Sequence, residues 1–368
     1  MKRRGFMAAG AALMLAACSS GRKIPDLPGL AAERGTIRWS VDLDGGGYGF
    51  APAIVDDRVY AAGRDGSLAG IDLASGAVDW RIDTDVRLIT GVGASGGLVA
   101  ITDENGFLRV HDEKGEQRWQ AAIGAEAVSV PVVDGDVLVI RGSDNRVLAF
   151  DAYTGRRRWV YTRQNPPLVL RQTNRPRLDG ATAYIGLPGG RLVALSTETG
   201  AMRWESAISL PRGSNEIERI ADVLGEPVLV GRQICAGSYQ GRVGCVDAAT
   251  GRPAWSQEIS AVGAIDFDGR TVVAVDTRGR VHALNDVGEP LWVQEGFQGR
   301  LLGAPTLVGD MLAVGDEEGY LHWLALADGS LAGRVRIDNS AIVSAPRRAG
   351  NLAIVQTVRG RVAAVALD

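Results

Sequence analysis

Gly190-Arg-Leu-Val-Ala-Leu-Ser-Thr-Glu-Thr-Gly-Ala-Met-Arg-Trp204 decides how the chain is read. Two alternating apolar strands flank a Thr-Gly turn, and a Trp closes the unit. Variants recur at Gly66 to Trp80, Asn105 to Trp119, Asn145 to Trp159, Gly241 to Trp255 and Gly279 to Trp292. A unit copied about every 40 residues, with four strand signals per copy, is the sequence signature of a β-propeller.

The copies can be counted from their ends. A Pro opens the first strand of most of them, and the Trp position follows 28 residues later in Pro52 to Trp80, Pro131 to Trp159, Pro176 to Trp204 and Pro227 to Trp255. Pro at a first strand position removes no needed ladder donor. Counting 28 from Pro305 reaches Gly333, a copy that keeps its length and lacks the Trp; the copies ending at Trp119 and Trp292 lack the Pro. The eighth opens at Pro346 and stops at Asp368 before any Thr-Gly turn, while Arg34-Gly-Thr-Ile-Arg-Trp39 carries the missing turn and strand. The sequence therefore predicts an all-β, eight-bladed β-propeller over 33–368. Its blades are four-stranded and antiparallel, and the N-terminal strand closes the ring, which removes free sheet edges. Asp72, Asp112, Asp151 and Asp247 end third strands, where a carboxylate can accept backbone N–H bonds and fix the turn. The repeated Trp offers a flat apolar face to the next blade and an N–H for a carbonyl.

The head of the chain reads as an address. Lys2, Arg3 and Arg4 precede an apolar run from Phe6 to Ala17 that is too short to span a bilayer. Leu15-Ala-Ala-Cys18 resembles a lipobox, which makes 1–17 a lipoprotein signal peptide and Cys18 the lipid-attachment residue. Arg3-Arg4 leaves general secretion and twin-arginine export both open. Several acyl chains anchor durably where one would not, and Ser19 after the Cys fits sorting to the outer membrane, on its periplasmic side. Residues 18–32, with Gly, Ser and two Pro, read as a lipidated tether. No second apolar run approaches 20 residues, and a net charge of −3 over 368 residues argues against nucleic acid.

Catalytic chemistry is sparse. His111, His282 and His322 fall on third strands of different blades with no metal-ligand spacing. Asp316-Glu-Glu-Gly319 and Thr102-Asp-Glu-Asn-Gly106 are acidic, but each occupies a hairpin turn, where Asp and Gly are turn chemistry. No metal and no cofactor is expected. Cys235 and Cys245 lie on two strands of one hairpin around Gln240-Gly241. A three-residue loop would set them opposite each other and allow a disulfide, whereas a two-residue loop would put them on opposite faces.

The repeat resembles the quinoprotein-type repeat shared by PQQ-dependent alcohol dehydrogenases and the BamB family of outer-membrane assembly factors. The likeness to the BamB family covers essentially the whole mature chain. It includes the lipobox, the blade count, Arg212-Gly-Ser-Asn-Glu-Ile-Glu-Arg-Ile-Ala-Asp-Val223 and Gly315-Asp-Glu-Glu-Gly-Tyr-Leu-His-Trp323. It implies a non-catalytic scaffold of the BAM complex, which folds and inserts β-barrel proteins, binding the periplasmic POTRA domains of BamA, and it leaves open whether unfolded outer-membrane protein clients bind directly.

Loop lengths mark the same region. From a Trp position to the next Pro the connection is 13 residues at Trp39 to Pro52, Trp292 to Pro305 and Gly333 to Pro346. It is 17 at Trp159 to Pro176 and 23 at Trp204 to Pro227. Loops that grow on a constant scaffold are where binding sits. The first contains Leu168-Val-Leu-Arg171, apolar anchors with a guanidinium, the composition of a protein-contact hot spot. The resemblance assigns BamA contact to Leu168, Leu170 and Arg171, and an acidic partner position to Asp222; Leu224 stands where the family can have a second Asp. Two other readings remain: a periplasmic PQQ-dependent dehydrogenase, which would need a calcium carboxylate cluster and a catalytic Asp, and a propeller lipoprotein with a different protein partner.

Overall fold

The computed structural model describes residues 23–30, 34–164, 166, 168–170 and 174–367. Every regular element among them is a β-strand, β1 to β32 in chain order, arranged in eight four-stranded antiparallel sheets. Blade one is β2 (Ala53–Val55), β3 (Arg58–Ala62), β4 (Ser67–Asp72) and β5 (Val78–Asp83). Six further blades of consecutive strands follow. The eighth takes β30 (Arg347–Ala349), β31 (Leu352–Gln356) and β32 (Arg361–Ala366) from the tail and β1 (Thr36–Asp42) from the head. Thr36 pairs with Ala366 and Asp42 with Arg361. Both guanidinium arms of Arg361 reach the Asp42 carboxylate, at 2.7 and 2.9 Å, and pin that register.

Eight apolar clusters fill the eight gaps between neighbouring blades. Leu108 meets Leu138 and Phe150 between blades two and three, and Val59 and Ile71 meet Val362 and Ala364 across the closure. Middle strands are buried on both faces, which is why their polar positions are few. Seven Trp indoles donate to a carbonyl in the third turn of the next blade: Trp39 to Leu73, Trp80 to Glu113, Trp119 to Ala152, Trp159 to Thr197, Trp204 to Ala248, Trp255 to Asp286 and Trp292 to Leu326. The aspartates act as their position predicts: Asp72 takes the N–H of Ser75, Asp112 that of Lys114, Asp151 that of Thr154 and Asp247 that of Thr250.

Two expectations need correction. Pro52, Pro131, Pro176, Pro305 and Pro346 directly precede their first strands, but Pro227 lies inside β18 (Val223–Val230). The pairing register of β18 breaks between Leu224 and Val228, so the ladder asks nothing of the missing Pro N–H. The stretch read as a tether is held to the ring over its described part. Ile24, Pro25, Leu27, Pro28 and Leu30 are half-buried while Lys23, Asp26 and Gly29 are exposed, a period of three that suits extended, proline-rich chain. Arg300 donates to the Pro25 carbonyl and Arg334 to that of Pro28, so ring guanidiniums take carbonyls that an extended chain leaves unpaired. Residues 1–22, with Cys18, lie outside the described residues.

Candidate functional site

Blade-to-blade connections emerge on one face of the ring, and the two long ones border blade four. The first leaves β13 (Arg157–Tyr161) and the second runs from β17 (Met202–Ala207) to β18. At the root of the first, Arg163 grips Glu205 of β17 with two bonds of 2.9 Å. Further on, Pro166 packs against Gly189, and Asn174 rejoins the scaffold by exchanging backbone bonds with Val128 and Val130.

One residue ties the loops together. Asp222, at the end of the second loop, accepts the Leu170 N–H on Oδ2 at 2.7 Å and the Gly189 N–H on Oδ1 at 3.0 Å. Its own carbonyl takes the Tyr239 N–H. At 4% exposure, its side chain has both carboxylate oxygens engaged by backbone. In the chain on its own, Asp222 shapes the loop that carries Leu168 and Leu170. The buried Arg141 guanidinium feels the same carboxylate; burial lowers its pKa to about 10, and Asp222 opposes that shift.

The other expected residues divide. Leu168 is 40% exposed, Leu170 is half-buried, and Arg171 lies outside the described residues. The second loop adds two apolar side chains that the sequence did not single out, Leu210 and Ile217, at 56% and 66% exposure. An isoleucine inside the polar run Ser214 to Arg219 was the available signal. A local bond network shapes that run: Glu218 accepts from the Ser214 N–H and hydroxyl, and Asn215 Oδ1 takes the Glu218 N–H. Leu224 is buried in β18, opposite Gly237, where an aspartate would lack solvent. Apolar knobs on hydrogen-bonded loops can fill pockets of another protein.

The acidic turns are committed to their own backbone. Asp316 Oδ1 accepts the Glu318 and Tyr320 N–H groups, and Oδ2 meets Arg300 and His322. Asp103 takes Asn105, Phe107 and Arg109, and Asp276 takes Arg278, Arg280 and His282. Cys235 and Cys245 stand opposite each other in β19 (Gln233–Ser238) and β20 (Val243–Asp247) and are disulfide-bonded. Ser238 and Arg242 close the hairpin around three loop residues, the first of the two geometries allowed above.

A family model described as outer membrane protein assembly factor BamB matches residues 20–87, 80–287 and 278–368. Among curated relatives, the outer membrane protein assembly factor BamB of Bordetella pertussis is 38% identical over 336 residues, covering 90% of this chain and 86% of that one. The Escherichia coli protein of the same description is 32% identical, covering 89% and 88%. Among solved structures, BamB from Moraxella catarrhalis superposes with a TM-score of 0.84 at 28% identity over 90% of this chain and all of that one. A quinohemoprotein alcohol dehydrogenase from Comamonas testosteroni, at 14% identity and TM-score 0.72, shares the fold alone. With its eight-bladed ring, its long loops around blade four and matches along nearly its whole length, the chain belongs to the outer membrane protein assembly factor BamB family.

Proposed function

We propose that this protein is a non-catalytic scaffold of the BAM complex, and that the loop pair beside blade four docks the POTRA domains of BamA. The observation that carries the reading is the stapled loop: a buried carboxylate holds the backbone at Leu170 while Leu168 stands exposed above it. Presenting a leucine on an ordered backbone spares a partner the entropy of ordering it. Family membership supports the assembly role, and lipid attached at Cys18 would hold the ring at the periplasmic face of the outer membrane. Because residues 23–30 lie against the ring, only five steps separate Cys18 from Lys23, about 17 Å at full extension. The dehydrogenase reading finds little support, since a calcium ion would compete with backbone N–H groups for the carboxylates at Asp103 and Asp316.

Co-purification with BamA tests the site. Leu168→Ala combined with Arg171→Ala is expected to cut BamA recovery about tenfold or more, at unchanged melting temperature. Asp222→Ala is expected to lower both recovery and stability, because two backbone donors lose their acceptor. Recovery of BamA at the wild-type level by the double variant would show that docking lies elsewhere.

A further inference from the structure

The axis of the ring holds two adjoining cavities of about 580 and 420 Å³. The larger lies among inner-strand residues such as Ile54, Asp266 and Arg348. The other reaches the connections, at Tyr48 and Asn174, on the face that carries the long loops. Both are lined by Arg175, Glu226 and Arg347, so the level of these side chains is where the two spaces meet.

Three guanidiniums crowd one carboxylate there. Arg175 Nε and Arg347 Nη1 each lie 3.4 Å from Glu226 Oε2, and Arg177 Nη1 lies 3.8 Å from Oε1. Three positive charges against one negative leave an excess of two. The other ionisable groups lining the larger cavity, Asp266, Asp268 and Arg348, reduce the excess to one and leave the cavity positive. Asp266 spends both oxygens on the N–H groups of Phe267 and Leu307, with burial raising its pKa; Asp268 accepts from Arg270 and Thr271; and Arg348 adds another cation.

Each guanidinium has five N–H donors and no acceptor, and Glu226 supplies two oxygens to all three. Arg177 Nε and Arg347 Nε are buried with no hydrogen-bond partner among the described residues. Burial, then the neighbouring Arg347, holds the pKa of Arg175 down to about 10. Like charges gathered in a channel repel unless an anion joins them. Planar forks of this kind match the oxygens of phosphate and carboxylate.

We propose that the Arg175, Arg177 and Arg347 cluster is a binding site for a compact, multiply charged oxyanion that enters from the face of the long loops. It stands apart from the BamA reading, because the loop variants above leave these arginines in place. Glu226 acts there as a resident competitor that tempers affinity.

Calorimetry and thermal melting of the mature chain, with pyrophosphate and with citrate at ionic strength matched by sodium chloride, test the site. Saturable one-to-one binding and a melting temperature that climbs with the logarithm of anion concentration are expected. Binding of only one of the two probes supports the site equally and fixes the class as phosphate or carboxylate. Arg347→Gln should weaken the affinity about tenfold, and Arg177→Gln serves if that variant does not fold. Glu226→Gln should tighten binding, the opposite of what a purely structural ion pair would give. No saturable binding of either anion, or affinity indifferent to the arginine variants, would overturn the proposal.

Discussion

Two of the three histidines are partners of turn aspartates. His282 Nε2 lies 3.0 Å from Asp276 Oδ2, and His322 Nε2 lies 3.0 Å from Asp316 Oδ2. His111 has no such partner; it is buried, its Nδ1 is unpaired, and desolvation first, then Arg109, pushes its pKa down to about 4. A folded pKa below the unfolded value near 6.5 means that the unfolded chain binds more protons between those limits. Stability is therefore fullest above about pH 6.5 and falls as pH drops towards 4, by on the order of 2–3 kcal/mol from this one group. Urea unfolding at pH 7 and pH 4.5 should show that loss, and His111→Leu should flatten the slope across the window. An unchanged slope in the variant would place the effect elsewhere, since carboxylates with lowered pKa values, such as Asp112, act at lower pH.

At the scale of elements, the repeating lock is a Trp against a glycine. Gly76, Gly115, Gly155, Gly200, Gly251, Gly288 and Gly329 all have positive φ, and each is covered by the Trp ring of the preceding blade. A Cβ on Gly200, at φ 72°, would lie 2.6 Å from Trp159 Cδ2. The turn needs glycine twice, for its backbone and for the missing side chain. Gly200→Ala is expected to cost about 2–3 kcal/mol, readable as a lower denaturation midpoint; a loss below about 0.5 kcal/mol would mean that the ring yields freely. The same lock explains Gly333. Blade eight has no third turn, because the chain ends replace it, so a Trp there would have no glycine to cover. A Cβ on Gly333 would instead meet the Arg34 carbonyl and Leu367.

For the whole molecule, closure is the joint on which the ring depends. β1 is the outer strand of blade eight, and Trp39, Val41 and Leu43 belong to the cluster between blades eight and one. Removing residues 34–42 exposes the edge of β32 and takes Trp39 and Val41 out of that cluster. An unpaired edge of this kind recruits other chains. A truncation that begins at residue 43 is expected to aggregate or oligomerise and to lose its single sharp melting transition. Light scattering with calorimetry checks this, and a monomer melting like the full chain would show that the other seven interfaces suffice.

The sequence by itself determined the ring: strand alternation, turn glycines, a period set by Trp and a broken last copy leave few other ways to bury the apolar positions. It also marked the long loops and Leu168, because insertions into a constant repeat are visible without coordinates. Tertiary structure decided what depends on contacts between distant segments. Asp222 went to the interior because two backbone donors 52 and 33 positions away converge on it. Ile24 to Leu30 went onto the ring because arginines some 300 residues later were placed to receive its carbonyls. The arginine cluster exists because the closed ring brings Arg347 of blade eight across the axis to Arg175 and Glu226 of the neighbouring blades four and five. Local periodicity is written along a chain, whereas the pairing of charges across a closed ring is fixed only once the ring has closed.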